Sequence, residues 1–167
     1  DLIRRIKENG YNVIPILTKG GSSFITDLTL AAVSENTCYT DLFDLTSESE
    51  MGHIKLARNA DLVLVAPATA DIIAKITHGI CDDLATTLIL ATAAPIIVCP
   101  SMNPYMWSNP ATIKNIFTLR KRSIQIVGPE EGMSACGEKG VGRLSESSKI
   151  IKKINYQLKP NNKQKPL

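Results

Sequence analysis

Residues 84–113 carry no charged side chain. An uncharged stretch that long belongs either in the lipid core of a membrane or inside a packed α/β domain. Pro95, Pro100, Asn103 and four threonines interrupt it, and their broken backbone and polar groups suit lipid poorly. A buried helix, a break at Pro95 and a buried parallel strand give the same hydropathy without that cost, so the interior is the expected home.

The flanking sequence supplies partners for such a strand. Apolar runs at 11–17, 61–66, 96–99 and 124–127 read as four short strands. Helical spacing lies between them, at 1–10 with Gly10 as C-cap, and at 22–35 with Phe24, Leu28, Ala31 and Ala32 turned inward. Further helices are expected at the segment opened by His53, at 70–77, at 83–93, from Pro110 to about Arg122, and near 145–158. Strands that alternate with helices make right-handed βαβ crossovers, hence an α/β fold with a mostly parallel sheet covered on both faces. Residues 1–158 read as one domain. Residues 159–167 are polar and broken by proline, and read as a linker or tail.

The formal net charge is +3, yet the last nineteen residues hold six lysines and no acid, which leaves the body slightly acidic. A nucleic-acid reader spreads its cations over a folded face, so no nucleic-acid partner is expected. No membrane partner is expected either. Cys38, Cys81, Cys99 and Cys136 form no C-x-x-C pair and have no histidine at ligand spacing, which argues against structural zinc. The sequence shows no charged-then-apolar leader, so the thiols are read as reduced and the chain as cytoplasmic.

In open parallel sheets, ligands bind beyond the carboxyl ends of the strands. Four unusual segments follow the strands here. Thr18-Lys19-Gly20-Gly21-Ser22 and Pro67-Ala68-Thr69-Ala70-Asp71 are hydroxyl- or glycine-bearing turns into helices, a geometry that holds phosphate or a polar ring edge but also serves as an ordinary cap. Residues 100–107, Pro-Ser-Met-Asn-Pro-Tyr-Met-Trp, place one amide beside thioethers and aromatics. There Asn103 can donate to a carboxylate while Met102, Met106 and Trp107 form an apolar wall, or the whole can be a packed helix cap. Residues 128–142 contain five glycines around Cys136, and read equally as a flap carrying a thiol or as a plain connection. His53 stands at a helix start, which favours a neutral imidazole able to accept a proton; many lone histidines there are structural.

Taken together, Gly52-His53-Ile54-x-Leu56, the turn 66–71, Pro100-x-Met102-Asn103-x-x-Met106-Trp107 and Ala135-Cys136-Gly137-x-x-Gly140-x-Gly142-Arg143 resemble the homo-oligomeric flavin-containing cysteine decarboxylases. The likeness is greatest to their phosphopantothenoylcysteine decarboxylase branch in coenzyme A biosynthesis, and runs from about Asp1 to Leu144. It implies a flavodoxin-like (Rossmann-type) three-layer fold binding FMN, with the first strand and its phosphate-cradling turn preceding this chain. It implies decarboxylation of 4′-phospho-N-pantothenoylcysteine to 4′-phosphopantetheine.

By motif position, the resemblance makes His53, Asn103 and Cys136 the catalytic residues. Thr18, Gly20, Thr69, Ala70, Asp71 and Ser101 would touch the flavin, and Asn103 and Met106 the substrate. It further implies a homotrimer or dodecamer and a fused phosphopantothenate–cysteine ligase domain beyond the lysine-rich tail. Two alternatives stand beside it: a peptidyl-cysteine decarboxylase of lantibiotic type, and a non-catalytic relative that binds a protein partner.

Overall fold

The computed structural model describes residues 1–41, 52–133 and 137–158, with Gly52 and His53 given by backbone alone. Three parallel strands, β1 (Val63–Ala68), β2 (Ile96–Pro100) and β3 (Gln125–Ile126), pair in that order. The middle strand is the most apolar, because a parallel strand with a neighbour on each side and helices on both faces never meets water. Ile97, Val98 and Cys99 are all fully buried.

The period-2 alternation of β2 divides the interior in two. Val98 faces one cluster with Val65, Ile73, Ile89, Ile116 and Leu119. Val65 comes from β1, and the others from α4 (Ala70–His78), α5 (Leu84–Ala91) and α7 (Pro110–Lys121). Ile97 and Cys99 face the opposite cluster with Ile6, Ile150 and Ile154, from α1 (Leu2–Glu8) and α8 (Ser147–Leu158). Helices therefore cover both faces, as the expected three-layer arrangement requires. Each fully buried isoleucine or leucine contributes about 1.5–3 kcal/mol. Among the described residues no helix is long and apolar enough to cross a membrane; the uncharged run is α5, β2 and the segment after them.

Local chemistry sets the boundaries. Thr69 caps α4 by accepting from the Ile72 N–H at 3.3 Å, and Gly79 ends that helix at φ 69°. Asp83 and Thr86 form a reciprocal capping box on α5. Asn109 caps α7 with Pro110 in its first turn. The helix opened by His53, α3 (Gly52–Asn59), packs on α5, where the Thr92 hydroxyl donates to the Ala57 carbonyl at 2.9 Å.

Three expectations change. The run at 11–17 forms no strand beyond a single parallel bridge between Ile16 and Tyr39, since Pro15 removes a ladder donor from its middle. The helix expected at 22–35 is α2 (Asp27–Ser34), preceded by one 3-10 turn at Gly21–Ser23. Thr26 supplies its cap, so Phe24 falls outside it. Phe24 and Leu28 are 93% and 76% exposed and Ala32 is exposed, with only Ala31 partly covered; an apolar stripe on a short helix does not specify which side meets the core. The glycine-rich segment contains an antiparallel hairpin of β4 (Glu130–Met133) and β5 (Lys139–Arg143).

That hairpin is seated on the sheet by a main-chain contact that only glycine permits. The Met102 N–H donates to the Gly142 carbonyl at 2.9 Å, and a Cβ at Gly142 would lie 2.1 Å from the Met102 carbonyl oxygen. Gly142→Ala should destabilise the fold by about 1–3 kcal/mol, because backbone rather than a yielding side chain blocks the added methyl. Urea unfolding measures this, and an unchanged midpoint would mean that hairpin and loop part without cost.

Candidate functional site

The site is built where β1 and β2 end. The Ser101 N–H donates to the Ala68 carbonyl at 2.9 Å, which ties the segment after β2 to the turn that opens α4. One residue further on, Met102 is bonded to Gly142 as described. A Cβ at Gly140 would meet the Pro104 ring at 2.8 Å. Two strand ends and the hairpin thus share one rim, and Ala68, Thr69, Ser101, Met102, Asn103 and Gly142 are brought together there.

Asn103 holds the central position. Its Oδ1 accepts from the Tyr105 N–H at 2.8 Å, capping the short helix α6 (Pro104–Ser108). This bond fixes the amide plane, because a backbone N–H can only meet the oxygen end. The Nδ2 end therefore points away from the helix, and there it donates to the Glu138 carboxylate. An asparagine held in this way presents a donor to an anionic group, here the chain's own Glu138.

Next to this pair, on the Glu138 side, lies an open hollow of about 650 Å³, walled by Pro104, Tyr105, Trp107, Glu138, Lys139 and Val141. Met102 and Trp107 also pack against the core beneath the sheet. The thioether of Met106 is half exposed and outside this lining. Glu138 escaped the sequence reading: a glutamate two residues past a cysteine in a glycine-rich run looks like a solvated charge.

The α4 entrance supplies the polar part of the rim. Its first-turn N–H groups have no intrahelical acceptors, and they leave a positive helix end beside the hydroxyls of Thr69 and Ser101. Asp71 lies in that first turn and pairs with Lys75 at 3.3 Å, and Lys75 also reaches Asp82 at 3.1 Å. Hydrogen bonds to Asp82 first and Asp71 second hold the Lys75 ammonium above the ordinary lysine range. Thr18 and Gly20 occupy a separate turn hung from the Ile16–Tyr39 bridge, where the Thr18 hydroxyl accepts from the Gly21 N–H at 3.1 Å. Of the remaining expected residues, His53 is the second residue of α3. Cys136 lies outside the described residues.

The base of the hairpin is fastened by charge. Arg143 pairs with Glu146 at 2.9 Å, and Lys149 of α8 with Glu130 at 2.9 Å. The Lys149 hydrogen bond, ahead of the Glu146 N–H, holds the Glu130 carboxyl below its ordinary range. Cys99 has the opposite environment. Burial alone pushes its thiol up to about 12, so it is inert near neutrality and belongs to the core. Native protein treated with a maleimide should be modified at the exposed Cys81 and spared at Cys99. Peptide mass spectrometry would reveal label on Cys99 if β2 opened to solvent.

The Flavoprotein family profile matches residues 1–159. The chain is 49% identical over 151 residues to the coenzyme A biosynthesis bifunctional protein CoaBC of Vibrio vulnificus, covering 90% of this chain and 38% of that protein. It is 41% identical over 167 residues to the protein of that name in Escherichia coli, covering 100% and 41%. It thus spans about two fifths of the length of these curated relatives. Among solved structures, a Cys-to-Ser mutant of PPC decarboxylase complexed with pantothenoylaminoethenethiol superposes with a TM-score of 0.82 at 32% identity, covering 92% of this chain and 87% of that one. The FMN-binding protein AtHal3 superposes with a TM-score of 0.79 at 32% identity, covering 93% and 86%. A flavodoxin-like sheet with its polar rim at the strand ends, and a profile match over almost the whole chain, identify it as a member of the Flavoprotein family.

Proposed function

We propose that this chain catalyses the FMN-dependent decarboxylation of 4′-phospho-N-pantothenoylcysteine to 4′-phosphopantetheine in coenzyme A biosynthesis. The observation that carries the proposal is the Asn103 amide, oriented by the Tyr105 N–H and already holding a carboxylate at the strand-end rim. The likeness to bifunctional CoaBC proteins and to PPC decarboxylase supports the choice of substrate.

The rim also suits the cofactor. The Thr69 and Ser101 hydroxyls and the open N–H groups of α4 are the donors that flavin ring carbonyls accept. Asp71 supplies an acceptor for a ring N–H, and the turn at Thr18 and Gly20 would supply a further polar edge. These residues and Ala70 would hold FMN. When bound, FMN supplies the two-electron exchange, removing a hydride equivalent from the cysteine side chain and returning it after CO2 has left.

The chain's own groups do the rest. His53, at a helix start, accepts the thiol proton as the side chain is oxidised to a thioaldehyde. Asn103 holds the carboxylate until its C–C bond breaks, and the electron pair passes into the thiocarbonyl to leave an ethenethiolate. The ligand of the PPC decarboxylase neighbour, an aminoethenethiol, is at this oxidation level. Cys136 then delivers the proton that accompanies reduction to the saturated thiol, and Met106 contacts the substrate. Assembly as a homotrimer or dodecamer, with a phosphopantothenate–cysteine ligase domain in the same protein, completes the proposal.

A hydrogen bond to a charged group contributes about 1.5–3 kcal/mol, so Asn103→Ala should slow turnover roughly ten- to a hundredfold. An undiminished rate removes Asn103 from the site. Cys136→Ser should still release CO2 but accumulate the oxidised ethenethiol, and normal phosphopantetheine formation by that variant would end the proton-donor assignment. Assaying 4′-phosphopantothenoylcysteine beside a cysteine-ended peptide decides the substrate class. Turnover of the peptide alone would favour the lantibiotic type.

A further inference from the structure

The donor that the proposed reaction assigns to the substrate's carboxylate is in contact with a carboxylate of the protein itself. Asn103 Oδ1 is committed to the Tyr105 N–H, so the two N–H donors of Nδ2 alone serve anions, and the Glu138 carboxylate already lies on that nitrogen, where its charge opposes a second carboxylate. Glu138 is held there by its setting. It directly precedes β5, and β5 is pinned to the same loop by the Met102–Gly142 main-chain bond and by the fit of Gly140 over Pro104. Glu138 also lines the neighbouring hollow, together with Tyr105 and Trp107.

A carboxylate near neutral pH is acceptor-only. Two carboxylates on one amide stand close enough to repel, and neither can hydrogen-bond the other. Building on the substrate reading above, we propose that Glu138 is an internal competitor for the carboxylate subsite: it occupies Asn103 in the free protein, yields to the substrate's carboxylate, and returns as CO2 departs. The exchange has two consequences. The amide nitrogen keeps an anionic partner throughout, before the substrate enters and after CO2 leaves. And a ligand bearing the carboxylate must displace Glu138, whereas its decarboxylated counterpart does not.

The test compares two ligands that differ only in the carboxylate and cannot be oxidised at sulfur. They are 4′-phosphopantothenoylserine and 4′-phosphopantothenoylethanolamine, titrated calorimetrically into flavin-loaded protein. Glu138→Ala should bind the serine ligand about tenfold more tightly than the parent, the worth of one charge-assisted hydrogen bond no longer contested. Glu138→Gln keeps the shape but offers a neutral oxygen, and should fall between the two. The ethanolamine ligand should bind all three proteins equally. If both variants bind the serine ligand no better than the parent, Glu138 is a support for Asn103 and the competitor role is overturned. If neither ligand binds the parent or either variant, the substrate reading fails, and the competitor role fails with it.

Discussion

Everything at the rim depends on the double burial of β2. Because Val98 is packed from one side and Ile97 and Cys99 from the other, the strand cannot shift by one residue without exchanging its two faces. Its register on β1, with Val65 opposite Val98 and Ala68 opposite Pro100, is thereby set. The loop that leaves it reaches the α4 entrance in one place only. The Ser101–Ala68 bond, the Asn103 cap and the seat of the hairpin are successive consequences of that register.

The site also shows how main-chain contacts do work usually credited to side chains. Between Asn103 and the hairpin, the close approach is made by the backbone of Met102 and Gly142, with Gly140 over the Pro104 ring. Neither glycine has a positive φ. Both are required by space rather than by backbone conformation, a distinction that a glycine count in the sequence cannot make.

The sequence made the sheet and most helix ends legible because those signals are local. The uncharged run located α5 and β2, Asp83 and Asn109 marked helix starts, and Gly79 marked an end. The turn before α4 and the Asn103 loop were legible as neighbours on one rim, since parallel strands put their carboxyl ends together. What failed was non-local. Whether residues 11–17 pair depends on a partner and on Pro15, and whether Phe24 and Leu28 face inward depends on what stands opposite them. Glu138 was invisible for the same reason: its meaning comes from an asparagine thirty-five positions earlier, and nothing within its own segment refers to that residue.

The chain contains one tryptophan, and its place gives it two neighbourhoods at once. Trp107 packs against the core cluster that holds Ile73, Ile116 and Leu119, and it also lines the hollow with Tyr105 and Glu138. An indole's emission follows the polarity around it, so this molecule carries its own optical gauge at the seam between interior and entrance. Filling the hollow and loosening the helices beneath it would register on the same ring.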